Sequence, residues 1–176
     1  IQYTNKDYAN SRGVTLTVSK KPGQLLSMNF SYTYQVAEGV NSNPDDAYAA
    51  ALSNTSPVSV LTPLDWDQTH TANLTLGVGQ SDWGVFALGR FGSGLPYTPV
   101  INAAEAQGAD VARSFENNSR RRPANYNVDL RAFKNLKLGG VNLSAFLKVF
   151  NVFDRRNELS VFGETGRATA TPLQVG

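Results

Sequence analysis

Few residues in this chain are of the types that carry out catalysis. His70 is the only histidine, and the sequence has no cysteine. A catalytic histidine works with a nucleophile and an orienting acid, and neither a serine-nucleophile motif nor a paired acid lies near His70 in the sequence. The absence of cysteine removes disulfides, thiolate metal ligands and cysteine nucleophiles together. We therefore predict that the protein is not an enzyme and that His70 is a structural residue at the start of a strand.

One group of oxygen-bearing side chains could hold a cation. Asp45 and Asp46 follow Asn41 and Asn43, and their oxygens are of the kind that Ca²⁺ takes as ligands. The spacing differs from that of an EF-hand loop. The sequence therefore predicts a solvated turn at this place, with no metal and no other cofactor.

Two other groups of residues are of types that bind ligands. Arg120, Arg121 and Arg122 form the densest basic run, and arginine forks match the geometry of phosphate groups. This run could bind an anionic ligand, or it could be a solvated cluster before a strand. Three aromatic side chains in or near the long connections could stack on a ligand, or could lie at a membrane interface, where Trp and Tyr are favoured. The predicted ligand-binding residues are Trp66, Tyr97, Phe115, Arg120 and Arg121.

The elements that must position these residues are organised around the stretch at residues 25–36. From Leu26 to Val36, apolar and polar residues alternate without a break, which is the pattern of a strand with two different faces. The stretch is about twice the usual strand length of roughly 5–6 residues, whereas a tilted membrane strand needs about 9–11. The length, the alternation and the tyrosines near one end are typical of a transmembrane strand with an aromatic girdle. A strand of an open soluble sheet could show the same alternation.

Further alternating stretches extend this pattern along the chain. The predicted strands are residues 14–19, 25–36, 69–79, 83–92, 124–134 and 141–150, with a short strand at 159–162. Short turns follow the first, third and fifth of these, the last one at residues 135–140, whereas long connections span about residues 37–68 and 93–122. Short turns on one side and long loops on the other are the pattern of a transmembrane barrel. A soluble sandwich has no reason to alternate loop length by side.

Bulk composition is compatible with this fold. Charged residues make up 17% of the chain, against about 25% in an average soluble domain. The net charge of +2 is too small to indicate a nucleic-acid partner by itself. The sequence has no run of about 18 apolar residues that would encode a transmembrane helix. The mean hydropathy of −0.29 does not exclude a barrel, because alternating strands average out.

Four charged residues of the predicted strands are assigned to the inside of such a barrel. Asp129, Arg131 and Lys148 alternate with apolar positions, so they face the lumen if the apolar positions face lipid. Arg90 belongs to residues 83–92, where both faces are fairly apolar and the orientation stays open. We assign Arg90 inward because an arginine near mid-depth in lipid costs about 2–4 kcal/mol. These residues could contact a domain in the lumen or line a transport path, or they could only form ion pairs that keep charge out of lipid.

Several short motifs resemble those of a known family. Residues 5–13 (NKDYANSRG) fit N-x-x-x-A-x-x-R-G, residues 67–70 (DQTH) fit D-x-x-H, and residues 93–99 (SGLPYTP) fit S-G-x-P-Y-T-P. Residues 122–131 contain R-P-x-x-x-x-x-D-L, and residues 149–154 (VFNVFD) end in N-x-F-D. In their order and spacing these motifs resemble TonB-dependent outer-membrane receptors, and they cover most of residues 5–154.

This resemblance implies an all-β fold, an antiparallel meander of long transmembrane strands within a large, 22-stranded outer-membrane barrel. Residues 1–176 would be the C-terminal portion of that barrel. The plug domain, the segment that contacts TonB and a final strand ending in an aromatic residue are not found in the sequence, and residues 163–176 are expected to belong to the last external loop. We therefore expect the chain to be part of a larger barrel.

The resemblance also implies a function and a location. The function is capture of a small nutrient ligand and its TonB-energised uptake across the cell outer membrane. The implied partners are outer-membrane lipid and lipopolysaccharide, the protein's own plug domain and remaining barrel strands, TonB through the missing N-terminal part, and the nutrient itself. No cofactor and no nucleic acid is implied.

Two other hypotheses remain open at this point. The first is a soluble β-sandwich that acts as an adhesin or carbohydrate-binding module, which predicts solubility without detergent and strands of ordinary length. The second is an outer-membrane hydrolase on a small barrel, for which the sequence offers no Ser-His-acid set. Arginine at Leu74 or Leu143 separates the membrane barrel from the sandwich, because it should block membrane insertion in the barrel and unfold a soluble core in the sandwich.

Overall fold

The structure is a computed structural model, and it describes residues 8–23, 25–40, 60–100 and 117–169, together with Leu52. Within these ranges nine β-strands are found. They are β1 (Ala9–Lys20), β2 (Leu26–Gly39), β3 (Thr62–Pro63), β4 (His70–Gly79), β5 (Trp83–Gly92), β6 (Pro96–Tyr97), β7 (Arg120–Arg121), β8 (Asn125–Leu138) and β9 (Val141–Val149). In this part of the chain, none of the helices has the length and apolar character needed to cross a membrane.

The six long strands form one antiparallel meander. Their order in the sheet is β1-β2-β4-β5-β8-β9, with the short β3 pairing to the end of β2. Strands β6 and β7 form a separate two-stranded ribbon. Each long strand therefore pairs with the long strands next to it in sequence, and the all-β, antiparallel fold predicted from the sequence is confirmed.

Strand boundaries differ from the predicted ones mainly by extension. Strand β5 has the predicted bounds, whereas β1, β2 and β8 run several residues beyond theirs. The short turn predicted within residues 135–140 is present, but it is narrower than that range, because β8 continues to Leu138 and only Gly139 and Gly140 form the turn. Both glycines have positive φ, 53° and 84°, which glycine adopts at little cost. The short strand predicted at residues 159–162 is wrong, since this segment bends back instead and Phe162 N donates to Arg167 O at 2.9 Å.

The register assigns every side chain of the sheet to one of two faces. The apolar face carries Val14, Leu16 and Val18 of β1, Leu26, Met28, Phe30, Tyr32, Tyr34 and Val36 of β2, His70, Ala72, Leu74, Leu76 and Val78 of β4, Trp83, Val85, Ala87, Gly89 and Phe91 of β5, and Val128, Leu130 and Ala132 of β8. The register also fixes the orientation of β5, which the sequence left open, because it aligns Trp83, Val85 and Phe91 with the apolar residues of β4 and β8. Charged residues occur on this face only near its ends, at Arg12, Lys20, Glu38 and Lys134.

The opposite side of the sheet is the polar face. Serine, threonine and asparagine dominate it in β1, β2 and β4, as in the opposed pairs Thr15–Thr33 and Ser31–Asn73. The hydroxyls of Thr15 and Thr33 lie 2.9 Å apart. Arg90, Asp129, Arg131 and Lys148 all belong to this face.

The sheet is a single layer with almost no core. Among the described residues, Ala37 and Leu64 are the buried hydrophobic side chains, and both lie at one end of the sheet rather than under it. Val14, Leu16 and Leu147, on the apolar face, are each more than half exposed. No second sheet covers either face within the described ranges.

The connections at the two ends of the sheet differ in kind. The links β1–β2, β4–β5 and β8–β9 are short turns at one end, which we call the turn end. The links from β2 to β4 and from β5 to β8 leave the other end, the loop end, as does the segment after β9. The predicted alternation of short and long connections is therefore present in the structure.

At the turn end, an exposed ion pair joins the β4–β5 turn to strand β8, and it predicts how stability depends on pH. Lys134 Nζ donates to Asp82 Oδ2 at 2.8 Å, and this hydrogen bond holds the pKa of Asp82 below its ordinary value of 3.8. A lowered folded-state pKa stabilises the folded protein above pH 3.8, and the contribution is lost as pH falls through the folded-state pKa. In Lys134→Met, the Asp82 pKa measured by carboxyl-carbon NMR should rise. An unchanged value would mean that the pair does not form in solution.

Candidate functional site

A buried carboxylate ties the two long connections together at the loop end. Asp67 is 1% exposed, and its Oδ1 accepts a hydrogen bond from Ala37 N at 2.8 Å. Its Oδ2 is paired with the guanidinium of Arg121, which also donates to the Asp67 carbonyl at 2.9 Å and to the Gly94 carbonyl at 3.3 Å. The side chain of Arg121, in the second long connection, is thus held by Asp67 of the first.

Asn118 makes a second link between the same connections. Its backbone has a positive φ of 59°, a conformation that asparagine tolerates better than most residues. Its side-chain amide donates to Pro63 O at 2.8 Å and to Asp65 Oδ1 at 2.7 Å, and its backbone N donates to Thr98 Oγ1 at 3.0 Å. We call Asp67, Asn118 and Arg121 the loop clamp, because they fasten the bases of both long connections.

The β6–β7 ribbon that carries Arg121 depends on a glycine. A β-carbon on Gly94 would lie 1.6 Å from Arg122 O, so no other residue fits without moving the backbone. Gly94→Ala should cost about 3 kcal/mol of unfolding free energy, the upper part of the usual overpacking range, measured by urea titration in detergent. Gly23→Ala is the matched control, since a β-carbon there meets nothing within 4 Å. Equal stability of the two variants would contradict the close approach at Gly94.

A third segment packs onto the second connection. Val100 N donates to Gly163 O at 3.0 Å, and Arg122 Nη1 donates to Leu159 O at 2.8 Å. The Tyr97 hydroxyl lies so close to Gly166 that a β-carbon there would be 2.2 Å away. The two long connections and the segment after β9 therefore pack together at the loop end, and we call this assembly the cap.

The predicted ligand-binding residues take different positions in this cap. Trp66 is 48% exposed, and Arg120 is also exposed, so both are accessible. Tyr97 and Arg121 are engaged by Gly166 and Asp67 as described above. Phe115 lies outside the described residues, as do the predicted calcium-type turn residues Asn41, Asn43, Asp45 and Asp46.

His70 lies among aromatic residues on the apolar face near the loop end. Its Nδ1 is 2.8 Å from the Tyr32 hydroxyl, and its ring lies against those of Tyr32 and Tyr34, with centroids 6.2 and 5.4 Å apart. Phe91 and Tyr126 are opposed to each other farther along the same edge of this face. The predicted position of His70 at the start of a strand is confirmed.

Two of the sequence motifs meet at Asp129. Its Oδ1 accepts hydrogen bonds from Asn127 Nδ2 at 2.9 Å and from Asn151 N at 2.8 Å. Asn151 has a positive φ of 50°, and its side chain bonds both the N and the O of Arg155 at 3.1 Å. The N-x-F-D motif is thus the turn that ends β9, and Asp129 anchors it.

Several open cavities border the polar face, and two of them lie along β5 and β8. The first, of about 460 Å³, lies toward the loop end, and its lining includes several amides together with Thr71, Arg90, Phe91 and Tyr126. The second, of about 370 Å³, lies nearer the middle of β5 and β8, and we call it the wall pocket. Its walls include Phe86, Leu88, Asp129, Arg131, Lys148 and Phe150.

Sequence reasoning missed several of these residues. Asn118 gave no local signal, and Asp67 stood out only as part of the D-x-x-H motif, because Pro63 and Arg121, the partners of their side chains, lie more than 50 residues away. The aromatic residues on the polar face, Phe86, Phe133 and Phe146, were detectable only as breaks in the alternation. Phe86 and Phe133 stack at 6.1 Å. In the described ranges there is no group of three or more His, Cys, Asp or Glu residues that could hold a metal.

Comparison of the chain with protein-family models, with curated proteins and with solved structures gives no match.

Proposed function

We propose that this chain is part of the wall of a large outer-membrane β-barrel of the TonB-dependent receptor type, and that it takes part in capture and energised uptake of a small nutrient. The observation that carries the proposal is the apolar face. It is six strands wide, uncovered within the described ranges, and free of charge except near its ends. Soluble monomers rarely expose apolar patches above a few hundred Å², so this face needs a cover.

Contact with lipid explains the exposed apolar face better than packing against a second sheet does. A soluble sandwich would supply a second sheet about 10 Å away, but the described strands all belong to one layer and a short ribbon. Strands β4 and β5 have 10 residues each, which suits the roughly 9–11 residues of a tilted membrane strand. A lipid-facing side with a hydrophilic opposite side is what a wide barrel requires.

The rims of the apolar face support the same orientation. Tyr34, His70, Phe91 and Tyr126 lie toward the loop end, and Trp83 starts β5 at the turn end. Aromatic residues at both borders of an apolar band are the girdles of outer-membrane barrels. Short turns at one end and a cap of three connections at the other correspond to the inner and outer sides of such a membrane.

The two outer strands support a larger assembly. Strands β1 and β9 each pair on one side only and are exposed along their whole length. An open strand edge in lipid leaves N–H and C=O groups unsatisfied at several kcal/mol each. We infer that further strands of the same barrel pair with both edges.

The loop clamp suits a receptor that must present its loops in a defined position. Asp67 and Arg121 fasten both connections at the sheet edge, while Trp66 and Arg120 remain accessible beside them. Binding surfaces are commonly carried on loops fixed by a rigid scaffold. Ligand capture is accordingly proposed at the cap, and passage is proposed along the polar face.

Spin-label accessibility along β4 tests the membrane orientation. A nitroxide is placed at each of residues 72–78 in turn, in the intact protein that carries this sequence, reconstituted in lipid. Labels at Ala72, Leu74 and Leu76 should collide mainly with oxygen, which dissolves in lipid, and labels at Asn73 and Thr75 mainly with a water-soluble nickel chelate. Immobile labels at Leu74 and Leu76, shielded from both reagents, would instead indicate the soluble sandwich and overturn the proposal.

Energised uptake has a separate test. Cells that carry the intact protein should bind the nutrient with or without a proton gradient but accumulate it only with one. A protonophore should therefore abolish accumulation and leave surface binding intact. Accumulation that resists the protonophore would contradict active uptake while leaving the barrel wall unaffected.

A further inference from the structure

The corner after β9, at residues 150–157, is fastened to the edge of β8 by hydrogen bonds that fix the position of one arginine. The side-chain oxygen of Asn151 accepts a hydrogen bond from Arg155 N, and its amide donates to Arg155 O, both at 3.1 Å. Asn157 bonds both the N and the O of Tyr126 in β8 at 3.0 Å. The backbone of Arg155 therefore has a defined place at the loop-end edge of the sheet.

The side chain of Arg155 lies on the apolar side of the sheet. Its Cζ is 5.2 Å from the centre of the Tyr126 ring, and Tyr126 belongs to the apolar face through its register with Phe91. The Phe153 ring meets the Tyr126 ring edge-on at 6.3 Å, and Phe153 is 64% exposed. We call Tyr126, Phe153 and Arg155 the rim site, because they lie together at the loop-end border of the apolar face.

The positive charge of Arg155 is not neutralised by the described part of the chain. Within the described ranges no carboxylate lies within 4 Å of its guanidinium, whereas Arg12, near the same border of the apolar face, pairs with Glu38 at 3.6 Å. The guanidinium donates to Ala124 O at 3.3 Å, and its Nε is buried without a hydrogen-bond partner. Because an unpaired cation is costly beside lipid, an anion at the membrane surface would stabilise Arg155.

An apolar strip continues from the rim site toward the turn end. Val128 and Leu130 follow Tyr126 on the same face of β8, and Phe91 lies beside Tyr126 in β5. Phe91 and Leu130 are exposed. A cation at the end of an apolar strip is complementary to an amphiphile that has an anionic headgroup and hydrocarbon chains. Arginine binds phosphate oxygens through paired N–H groups, and aromatic rings at a membrane border lie at the level of the headgroups.

We propose that the rim site binds the phosphate of an anionic membrane lipid. The remaining N–H groups of the Arg155 guanidinium donate to the phosphate oxygens, and the rings of Tyr126 and Phe153 flank the headgroup. The hydrocarbon chains lie along Phe91 and Leu130. The inference rests on the proposed function in one respect, that the apolar face meets lipid, and it goes beyond nutrient uptake because it assigns a lipid site to the outer wall.

Lipid titration of the intact protein, followed by native mass spectrometry from maltoside micelles, tests this chemistry. The probes are dioleoyl phosphatidate, dioleoylglycerol, which has the same chains without the phosphate, and inorganic phosphate, which has no chains. Phosphatidate should be retained at concentrations about tenfold below those needed for either of the other probes. Equal retention of dioleoylglycerol would show apolar contact alone, and equal retention of inorganic phosphate would show a site for a free anion. Either result would overturn the inference.

Variants then locate the bound lipid. Arg155→Gln should need about tenfold more phosphatidate for the same retention, and Tyr126→Leu, which removes the ring against the guanidinium, should also weaken retention. Arg90→Gln is the matched control, since Arg90 lies on the polar face opposed to Asn127, the residue after Tyr126. It should retain phosphatidate like the unmodified protein. Other parts of the intact protein can also hold lipid, so the difference between each variant and the unmodified protein is the quantity that reports the rim site.

Hydrogen exchange of the Tyr126 amide, which the corner protects, shows whether Arg155→Gln leaves the corner in place. If the corner opens, Tyr126→Leu decides the result. Phosphatidate retention that an intact Arg155→Gln variant or the Tyr126→Leu variant leaves unchanged would overturn the inference, and so would an equal loss in Arg90→Gln.

Failure of the rim site is distinguishable from failure of the proposed function. Alternating spin-label accessibility along β4, together with lipid retention that does not depend on Arg155, removes only the rim site. Absence of that alternation removes the membrane orientation itself.

Discussion

Leu74→Arg is expected to prevent the intact protein from inserting into lipid bilayers, with a loss of folding free energy of about 2–4 kcal/mol. Leu74 lies in the middle of the apolar face, opposed to Phe30 on one side and Gly89 on the other. In the proposed orientation, an arginine at this position would lie at mid-depth in lipid, away from the water at either rim. The measurement is urea-dependent folding into phospholipid vesicles, compared with the unmodified protein.

Leu143→Arg should cost much less, although the sequence pattern treats both leucines alike. Leu143 is opposed to Leu136 close to the Gly139–Gly140 turn, so its side chain lies near the turn end. The cost of arginine falls to about 0–1 kcal/mol near the interfaces. Comparison of the folding free energy lost in the two variants therefore measures how deep Leu74 lies in lipid relative to Leu143.

Thr75→Arg is the control for Leu74→Arg, because Thr75 is the next residue and belongs to the polar face. It should insert almost normally. Equal penalties at Leu74 and Thr75 would show that neither side of the sheet meets lipid. Unfolding of a protein that is soluble without detergent would identify a sandwich core.

The strands themselves were largely predictable from the sequence. Period-two alternation depends on local chain geometry, so the strands predicted at residues 25–36 and 141–150 were located from their own residues, although β2 continues to Gly39. The orientation of β5 was not predictable, because Phe86 and Leu88 make its polar face look apolar. The register with β4 and β8 decided it, through partners such as Leu76–Ala87 and Ala87–Leu130.

The loop clamp was beyond sequence reasoning for a physical reason. Asp67 lies in the short D-x-x-H motif, and the sequence does not identify the cation with which it pairs. Its partner Arg121 is 54 residues away, and the approach depends on Gly94 admitting the Arg122 carbonyl. Of three adjacent arginines, the structure brings one to the buried acid, while Arg120 stays exposed.

Arg121→Met is the second substitution with a large expected effect. It would leave the Asp67 carboxylate, 1% exposed, without its cation. Breaking a buried pair in this way costs about 3–5 kcal/mol, because an uncompensated charge stays buried. The expected result is local opening at the loop end, measured as faster hydrogen exchange of the Ala37 and Leu64 amides, which the clamp region protects.

Replacing the acid instead of the cation should cost less free energy of unfolding, and this difference distinguishes the buried Asp67–Arg121 pair from a surface ion pair. Asp67→Asn leaves the guanidinium of Arg121, which is 38% exposed and can turn toward water. The asparagine oxygen can still accept from Ala37 N, so a loss of about 1–2 kcal/mol is expected. A surface pair would give less than about 1 kcal/mol for either change. If Asp67→Asn opened the loop end as much as Arg121→Met, burial of the carboxylate would not be what makes the pair necessary, and the cap would have to be held by Asn118 and the ribbon instead.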